Sequence, residues 1–214
     1  MNGENVEGYE KDLEKDMENE ILREIGSIGA GHAATALSEL IQEKISITFP
    51  EIYVARPEEI PKVLGLHEMP SVVVYKKLQE GYDCDILLVF EKEEADKIVS
   101  TMAKNTFGME ELDKEMKKSA IEEIGNIVIG SFLSAMSNFI DMELLPTPPI
   151  HVTDIFDAVL DIFLAKLCLQ NRKAIVFQTC FKREEEKIYG AVIIFLNEEL
   201  RDELIRKGKA WLEG

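Results

Sequence analysis

Apolar positions along the chain switch between a helical and a strand period, and the order of the switches occurs twice. From near Glu10, Leu13, Met17, Ile21, Ile25 and Ile28 recur at helical spacing, and Ala33, Ala36, Leu37 and Leu40 continue the stripe. Residues 1–8 read as a frayed start. Lys44–Pro50 carries the β-branched residues Ile45, Ile47 and Thr48 and predicts a strand stopped by Pro50. Pro57 opens a short helix over Glu58–Leu64. Ser71–Lys77 and Asp85–Phe90 predict a hairpin around the turn residues Gln79, Glu80 and Gly81, followed by a helix over Glu93–Met102.

The order then restarts. Glu110–Ile140 has helical period, and Pro146, Pro148 and Pro149 end it. His151–Leu167 predicts a strand running into a helix. Ala174–Phe181 and Tyr189–Leu196 are strands around the charged turn Arg183–Lys187, and Glu198–Leu212 is a closing helix.

The two series align residue by residue. Glu24-Ile-Gly-Ser-Ile28 matches Glu123-Ile-Gly-Asn-Ile127 at an offset of 123 − 24 = 99, which also pairs Gly31 with Gly130, Ala36 with Ala135, Ser38 with Ser137, Ile41 with Ile140 and Pro50 with Pro149. Farther on, the offset drifts to 105, pairing Phe90 with Phe195 and Glu93-Glu94 with Glu198-Glu199. Such a collinear string indicates an internal duplication, with repeat 1 over about residues 12–104 and repeat 2 over about 110–212 of a single domain spanning 1–214. The expected fold is α/β (α+β). Two pseudo-symmetric halves each lend a hairpin to one mainly antiparallel sheet, and the two long repeated helices lie roughly antiparallel with their Glu stripes outward.

The second long helix carries an unusual stripe. Ser119, Glu123, Asn126, Gly130 and Ser134 follow one another at helical spacings and share a face, while Ile121, Ile124, Val128, Phe132, Ala135 and Phe139 occupy the other. The outer face is small and polar instead of Lys/Glu-rich. Gly125 and Gly130 each cost the helix roughly 1 kcal/mol relative to alanine. Gly130, one turn past Asn126, leaves room for a partner backbone; Gly125 points coreward and serves internal packing. Spacing alone does not separate this stripe from an ordinary solvated face. Its small residues, and the Glu present in both copies, favour chemistry. An amide can both donate to and accept from a water, and a carboxylate can anchor a cationic group beside a phosphate. Phosphoryl-transfer catalysis gets much of its power from such positioning. The chain has no Walker A sequence, no Ser-His-Asp arrangement and no H-E-x-x-H, so a partner has to bring the rest of the site.

Charge and cysteine usage narrow the classes. With 24 Lys+Arg against 41 Asp+Glu, the chain carries −17, which disfavours nucleic acid and anionic membrane surfaces as partners and otherwise serves solubility. Cys84, Cys168 and Cys180 form no C-x-x-C pair and sit in apolar runs, as buried reduced thiols do. His32, His67 and His151 are scattered, and no metal site is expected. The first 20 residues hold eight acids and two lysines with no apolar core, and no apolar run approaches a membrane span. The expected location is cytoplasmic.

The motif residues resemble a known family. Ser119, Glu123, Asn126 and Pro148 fill, at the right spacing, the pattern Asp/Ser, three residues, Glu, two residues, Asn, 21 residues, Pro of the CheC/CheX/FliY phosphatases of chemotaxis, and the CheC type is the nearest. The resemblance extends over about Asp12 to Gly208. It implies hydrolysis of the aspartyl-phosphate of the response regulator CheY. Glu123 would bridge to the regulator's lysine, Asn126 would orient the attacking water, and Ser119 and Pro148 would support them. The chain itself would need no cofactor, since the Mg2+ belongs to the regulator. The first copy departs from the pattern: Glu20 replaces Asp/Ser, Glu24 is kept, Ser27 replaces Asn, and Pro50 lies one residue too far. A weak or silent first site follows. The resemblance also implies the receptor deamidase CheD as a second partner, meeting about His151–Leu164 with Asp154 as a contact, although Ile155, Phe156, Val159, Leu160 and Phe163 read first as an internal apolar helix face. The alternative to an enzyme is an adaptor that binds CheY or CheD without hydrolysis.

Overall fold

The computed structural model describes residues 4–48, 51–79, 84–167, 174–183 and 185–212. The first half runs α1 (Glu4–Ile41), β1 (Ser46–Thr48), β2 (Ile52–Ala55), a single 3-10 turn (Pro57–Glu59) leading into α2 (Ile60–Leu64), β3 (Pro70–Lys77), β4 (Asp85–Glu91) and α3 (Lys92–Phe107). The second half runs α4 (Lys114–Ile140), β5 (Ile150–Ile155), α5 (Phe156–Leu167), β6 (Ala174–Arg183), β7 (Glu186–Phe195) and α6 (Glu198–Leu212).

The seven strands of the described residues join one antiparallel sheet in the order β1–β6–β7–β4–β3–β5, with β2 lying beside β1 on the same edge of β6. The hairpins β3–β4 and β6–β7 meet where β4 pairs with β7, so the pseudo-two-fold passes between those strands. Each half sends its edge strand across. β1 and β2, from the first half, pair with β6, and β5, from the second, pairs with β3. The sequence predicted the shared sheet but not this exchange.

Both faces of the sheet are covered. On one side Ile86, Leu88 and Phe90 of β4 join residues of α1, α3, α4 and α6, including Ile25, Leu37, Ile98, Ile124, Phe132 and Leu200. On the other, Leu87 and Val89 join Ile60 of α2 and Phe156, Val159 and Leu160 of α5. A central strand buried on both faces reads as an unbroken apolar run, as Ile86–Phe90 does. Phe90 and Phe195 therefore are not equivalent, although the 105 offset pairs them: Phe90 faces the long helices and Phe195 the opposite layer. The strand register slips by one against the helices.

Several boundaries move for local reasons. The first helix is present from Glu4, in place of a frayed start and a helix from Glu10. α3 runs to Phe107, beyond Met102, and stops at Gly108, whose φ of +64° lets its N–H bond back to the helix carbonyls. α4 starts at Lys114 and not Glu110, because the Asp113 side chain accepts from the Met116 N–H at 2.8 Å and caps it. The turn Arg183–Lys187 shortens as both strands extend into it. A second edge strand, β2, follows the predicted one, and Pro50 lies outside the described residues.

α1 packs directly on α4: a Cβ built on Gly29 would lie 3.2 Å from Cα of Phe132. By length and hydropathy alone α4 could cross a membrane, but its apolar face, from Ala120 to Ile140, is buried in the core. Cys84 and Cys180 are buried free thiols; Cys168 lies outside the described residues. Among the described residues no group of His, Cys, Asp and Glu gathers to hold a metal.

Candidate functional site

The α4 stripe faces outward. Ser119, Glu123 and Ser134 are exposed, and Asn126 and Gly130 are half-buried. On the inner side Ile121, Ile124, Val128, Phe132 and Ala135 are buried, with Phe139 half-buried. Gly125 sets the height of the helix above the sheet. A Cβ there would come within 2.6 Å of Val74 Cβ on β3, so only glycine lets α4 rest this close. Apart from the adjoining backbone of α4 itself, no atom of the described residues lies within 4 Å of where a Cβ on Gly130 would stand.

That approach brings β3 into the site. Lys76 points to the helix side, in phase with Val72, Val74 and Leu78, and is only 4% exposed. Its Nζ donates to Asn126 Oδ1 at 2.5 Å. Burial holds the Lys76 pKa below the ordinary lysine value, and the negative charge of Glu123 pulls it partly back. Sequence reasoning missed Lys76. The signal was present as an ionisable residue in phase with the apolar Val72 and Val74 of β3.

Pro148 is exposed and follows a segment tied to the end of β3. Thr147 N–H donates to the Lys77 carbonyl at 2.7 Å, Lys77 N–H to Thr147 Oγ1 at 3.0 Å, and Gln79 N–H to the Leu145 carbonyl at 2.9 Å. These bonds hold the chain leading to Pro148 against the strand that carries Lys76.

The first half builds a different place. Glu24 is half-buried, and the exposed Ser27 lines a groove of about 620 Å³ between α1 and the β1–β2 edge that also takes in Arg23, Gly31, Thr48 and Tyr53. No lysine stands in for Lys76 there. His151 pairs with Val74 on β3, and its counterpart Ile52 (151 − 99 = 52) pairs with Phe177 on β6. Two residues farther along each strand come Lys76 and Thr179. Thr179 is fully buried, and its hydroxyl has no hydrogen-bond partner among the described residues.

Asp154 is exposed on the edge strand β5, its Oδ1 accepting from the Ile155 N–H at 2.8 Å. Phe156, Val159 and Leu160 are buried, and Phe163 packs edge-on to Tyr75 with ring centroids 4.9 Å apart. This stretch of α5 is an internal helix face. Ile155, on β5, keeps 37% exposure.

The outer face of α4 thus offers a carboxylate and a fixed amide, with no metal-ligand cluster among the described residues. It can grip and orient.

Two segments, residues 17–54 and 116–153, match the CheC-like family, and their ends differ by the same offset (116 − 17 = 153 − 54 = 99). The chain is 29% identical to the CheY-P phosphatase CheC of Bacillus subtilis over 167 residues, covering 77% of this chain and 80% of that protein. It is 32% identical to the flagellar motor switch phosphatase FliY of the same organism over 137 residues, 63% of this chain and 35% of that longer protein. The crystal structure of Thermotoga maritima FliY superposes with a TM-score of 0.68 at 22% identity, covering 90% of this chain and 96% of that one; at this identity the likeness is one of fold.

Proposed function

The chain belongs to the CheC-type family, and on that premise we propose that it accelerates hydrolysis of the aspartyl-phosphate of a CheY-type response regulator. The observation that carries the reading is Glu123, exposed on α4 one turn before an amide that a buried lysine holds in place. The reaction is a displacement by water. Water oxygen attacks phosphorus, the bond from phosphorus to the aspartyl oxygen breaks, and the carboxylate leaves with the electron pair. Inorganic phosphate forms, and the water proton passes to it or to solvent. Glu123 anchors the regulator's active-site lysine, and Asn126 orients the water in line. Ser119 and Pro148 flank the approach. The Mg2+ that neutralises the phosphoryl oxygens is the regulator's own.

Activity is assigned to the α4 site alone. The α1 site keeps Glu24 but has at Ser27 a hydroxyl that reaches less far from the helix than an amide does. A docking role without hydrolysis suits it. CheD binding is a second reading, favoured by one observation: Asp154 is exposed on β5.

The test follows phosphate loss from a CheY-type regulator phosphorylated with acetyl phosphate in Mg2+. Wild type accelerates it. Asn126→Ala lowers the rate on the order of 100-fold with regulator affinity kept, as loss of positioning does, and Glu123→Ala weakens affinity. Equal rates for wild type and Asn126→Ala would sink the enzyme reading and leave the adaptor.

A further inference from the structure

We propose that Lys76 is a positioning residue for this chemistry: it locks the Asn126 amide with its oxygen inward and its NH2 toward the partner. The inference rests on the function proposed for Glu123 and Asn126. It begins with hydrogen-bond chemistry. An ammonium only donates, so the amide atom facing Lys76 has to be the oxygen. Nδ2 then lies across Cγ, toward the open side of α4. A surface asparagine ordinarily samples both amide orientations about a broad terminal torsion. A charge-assisted bond of 2.5 Å from a buried ammonium selects one.

The cost to the fold is informative. Val72, Val74 and Leu78 are buried in phase with Lys76, so a fourth apolar residue would complete that column. A buried ammonium is instead desolvated, with an amide as its hydrogen-bond partner and Glu123 as the charge acting on it. Such a residue at a reactive surface has a use other than stability. The first half shows the converse. Where Ser27 replaces the amide, Thr179 replaces the lysine, so both members of the pair differ together.

The consequence is chemical. The group that meets the phosphorylated pocket is a donor, fixed before the partner arrives. It is set to donate to the attacking water or to a phosphoryl oxygen, and it needs no reorganisation at the moment of reaction.

The test uses full-length Lys76→Met, Lys76→Gln, Asn126→Asp and the double variant Lys76→Met/Asn126→Ala, with the same acetyl-phosphate-treated regulator. Methionine fills the lysine's volume without a donor or a charge, so Lys76→Met keeps or raises Tm. Its kcat falls on the order of 10- to 100-fold with regulator affinity unchanged. Lys76→Gln, which can donate the same bond, recovers part of the rate. In the Asn126→Ala background Lys76→Met adds nothing. Asn126→Asp keeps the lysine contact but offers no outward donor, and is slow. A readout apart from activity is the Asn126 side-chain NH2 signal pair in a 15N correlation spectrum, identified by its loss in Asn126→Ala; it moves in Lys76→Met. If wild type itself does not accelerate phosphate loss, the functional reading fails while the NH2 signals still report on the clamp. Lys76→Met at or above the wild-type kcat, unmoved NH2 signals, or Asn126→Asp at the wild-type rate would each overturn the proposal. So would a Lys76→Met variant that loses Tm together with activity and is not recovered by glutamine.

Discussion

Replacing Gly130 by alanine separates what the helix needs from what a partner needs. Gly130 lies inside α4, and its backbone is not among the positive-φ glycines of the described residues, which are Gly65 and Gly108. Apart from the adjoining backbone of α4 itself, a methyl there meets no atom of the described residues within 4 Å. The substitution therefore relieves the helix of a glycine and adds no clash, a gain of about 0.8–1 kcal/mol. For a chain of this size that raises Tm by roughly 2–4 °C. Its effect on function has the opposite sign. Gly130 is one turn past Asn126, and a partner backbone resting on it is pushed outward by the new methyl. A misplacement near 1 Å costs on the order of 100-fold in a positioned reaction. Thermal denaturation by circular dichroism and the regulator-dephosphorylation assay together read both effects. A protein that is more stable and slower is the expected result. Wild-type turnover in a stabilised Gly130→Ala would show that no partner backbone approaches there, and a lowered Tm would show that the packing reasoning is wrong. Gly125→Ala is the internal contrast. Its methyl falls 2.6–2.8 Å from Val74 Cβ and Cγ2, on a fully buried side chain, so overpacking of about 1–3 kcal/mol meets the propensity gain and Tm does not rise. Val74→Ala in that background recovers stability, which neither single substitution predicts.

Two further outcomes follow from named contacts. Ser27→Asn, placed in the Asn126→Ala background so that only the α1 site can act, restores little dephosphorylation because Thr179 supplies no ammonium to fix the new amide; a return to the wild-type rate would contradict this. Asp157 Oδ2 accepts from the Glu68 N–H at 2.7 Å and Oδ1 meets His67 Nδ1 at 2.8 Å, and these bonds hold its pKa below the ordinary carboxylate value, with the backbone bond as the larger cause. The folded pKa is depressed, so the stabilisation is present above the unfolded value near 3.9 and is lost as pH falls through the folded one. Tm of Asp157→Ala is therefore lower than wild type at pH 6, and the difference narrows below about pH 4; a difference that is constant down to pH 2 would exclude the linkage.

What was legible in the sequence is local or periodic. The helix period of Ile21, Ile25 and Leu37 and the unbroken run Ile86–Phe90 report directly on burial, because each side chain faces the core its own element creates. The stripe of Ser119, Glu123, Asn126 and Gly130 was equally visible, since four residues on one helix are placed by helix geometry alone. The edge-strand exchange was not. β1 and β2 have three and four residues, too few to show a period, and their partner β6 is more than a hundred positions away. Lys76 was missed for a related reason. Its meaning depends on how close α4 comes to β3, and that distance is set by Gly125 in a different half of the chain. A lysine among valines was readable as an anomaly, but its partner was not.

The exchange also binds the two halves to one another. β6 is flanked by β7 on one side and by β1 and β2 on the other, so without the first half its outer edge is bare. β3 would lose β5 in the same way if the second half were absent. The buried face of α4 rests on α1, whose Gly29 is tight against the Phe132 backbone. Neither half therefore closes its own sheet or covers its own long helix, and exposed edges and apolar helix faces of this size favour aggregation over folding. On α1 the outward residues are separable from the packing: Ser27 is exposed, while Ile25 and Leu37 on the same helix are buried in the common core. Substitutions on the outer face of α1 should thus alter docking or nothing, whereas those on its inner face should disable the α4 site through the fold.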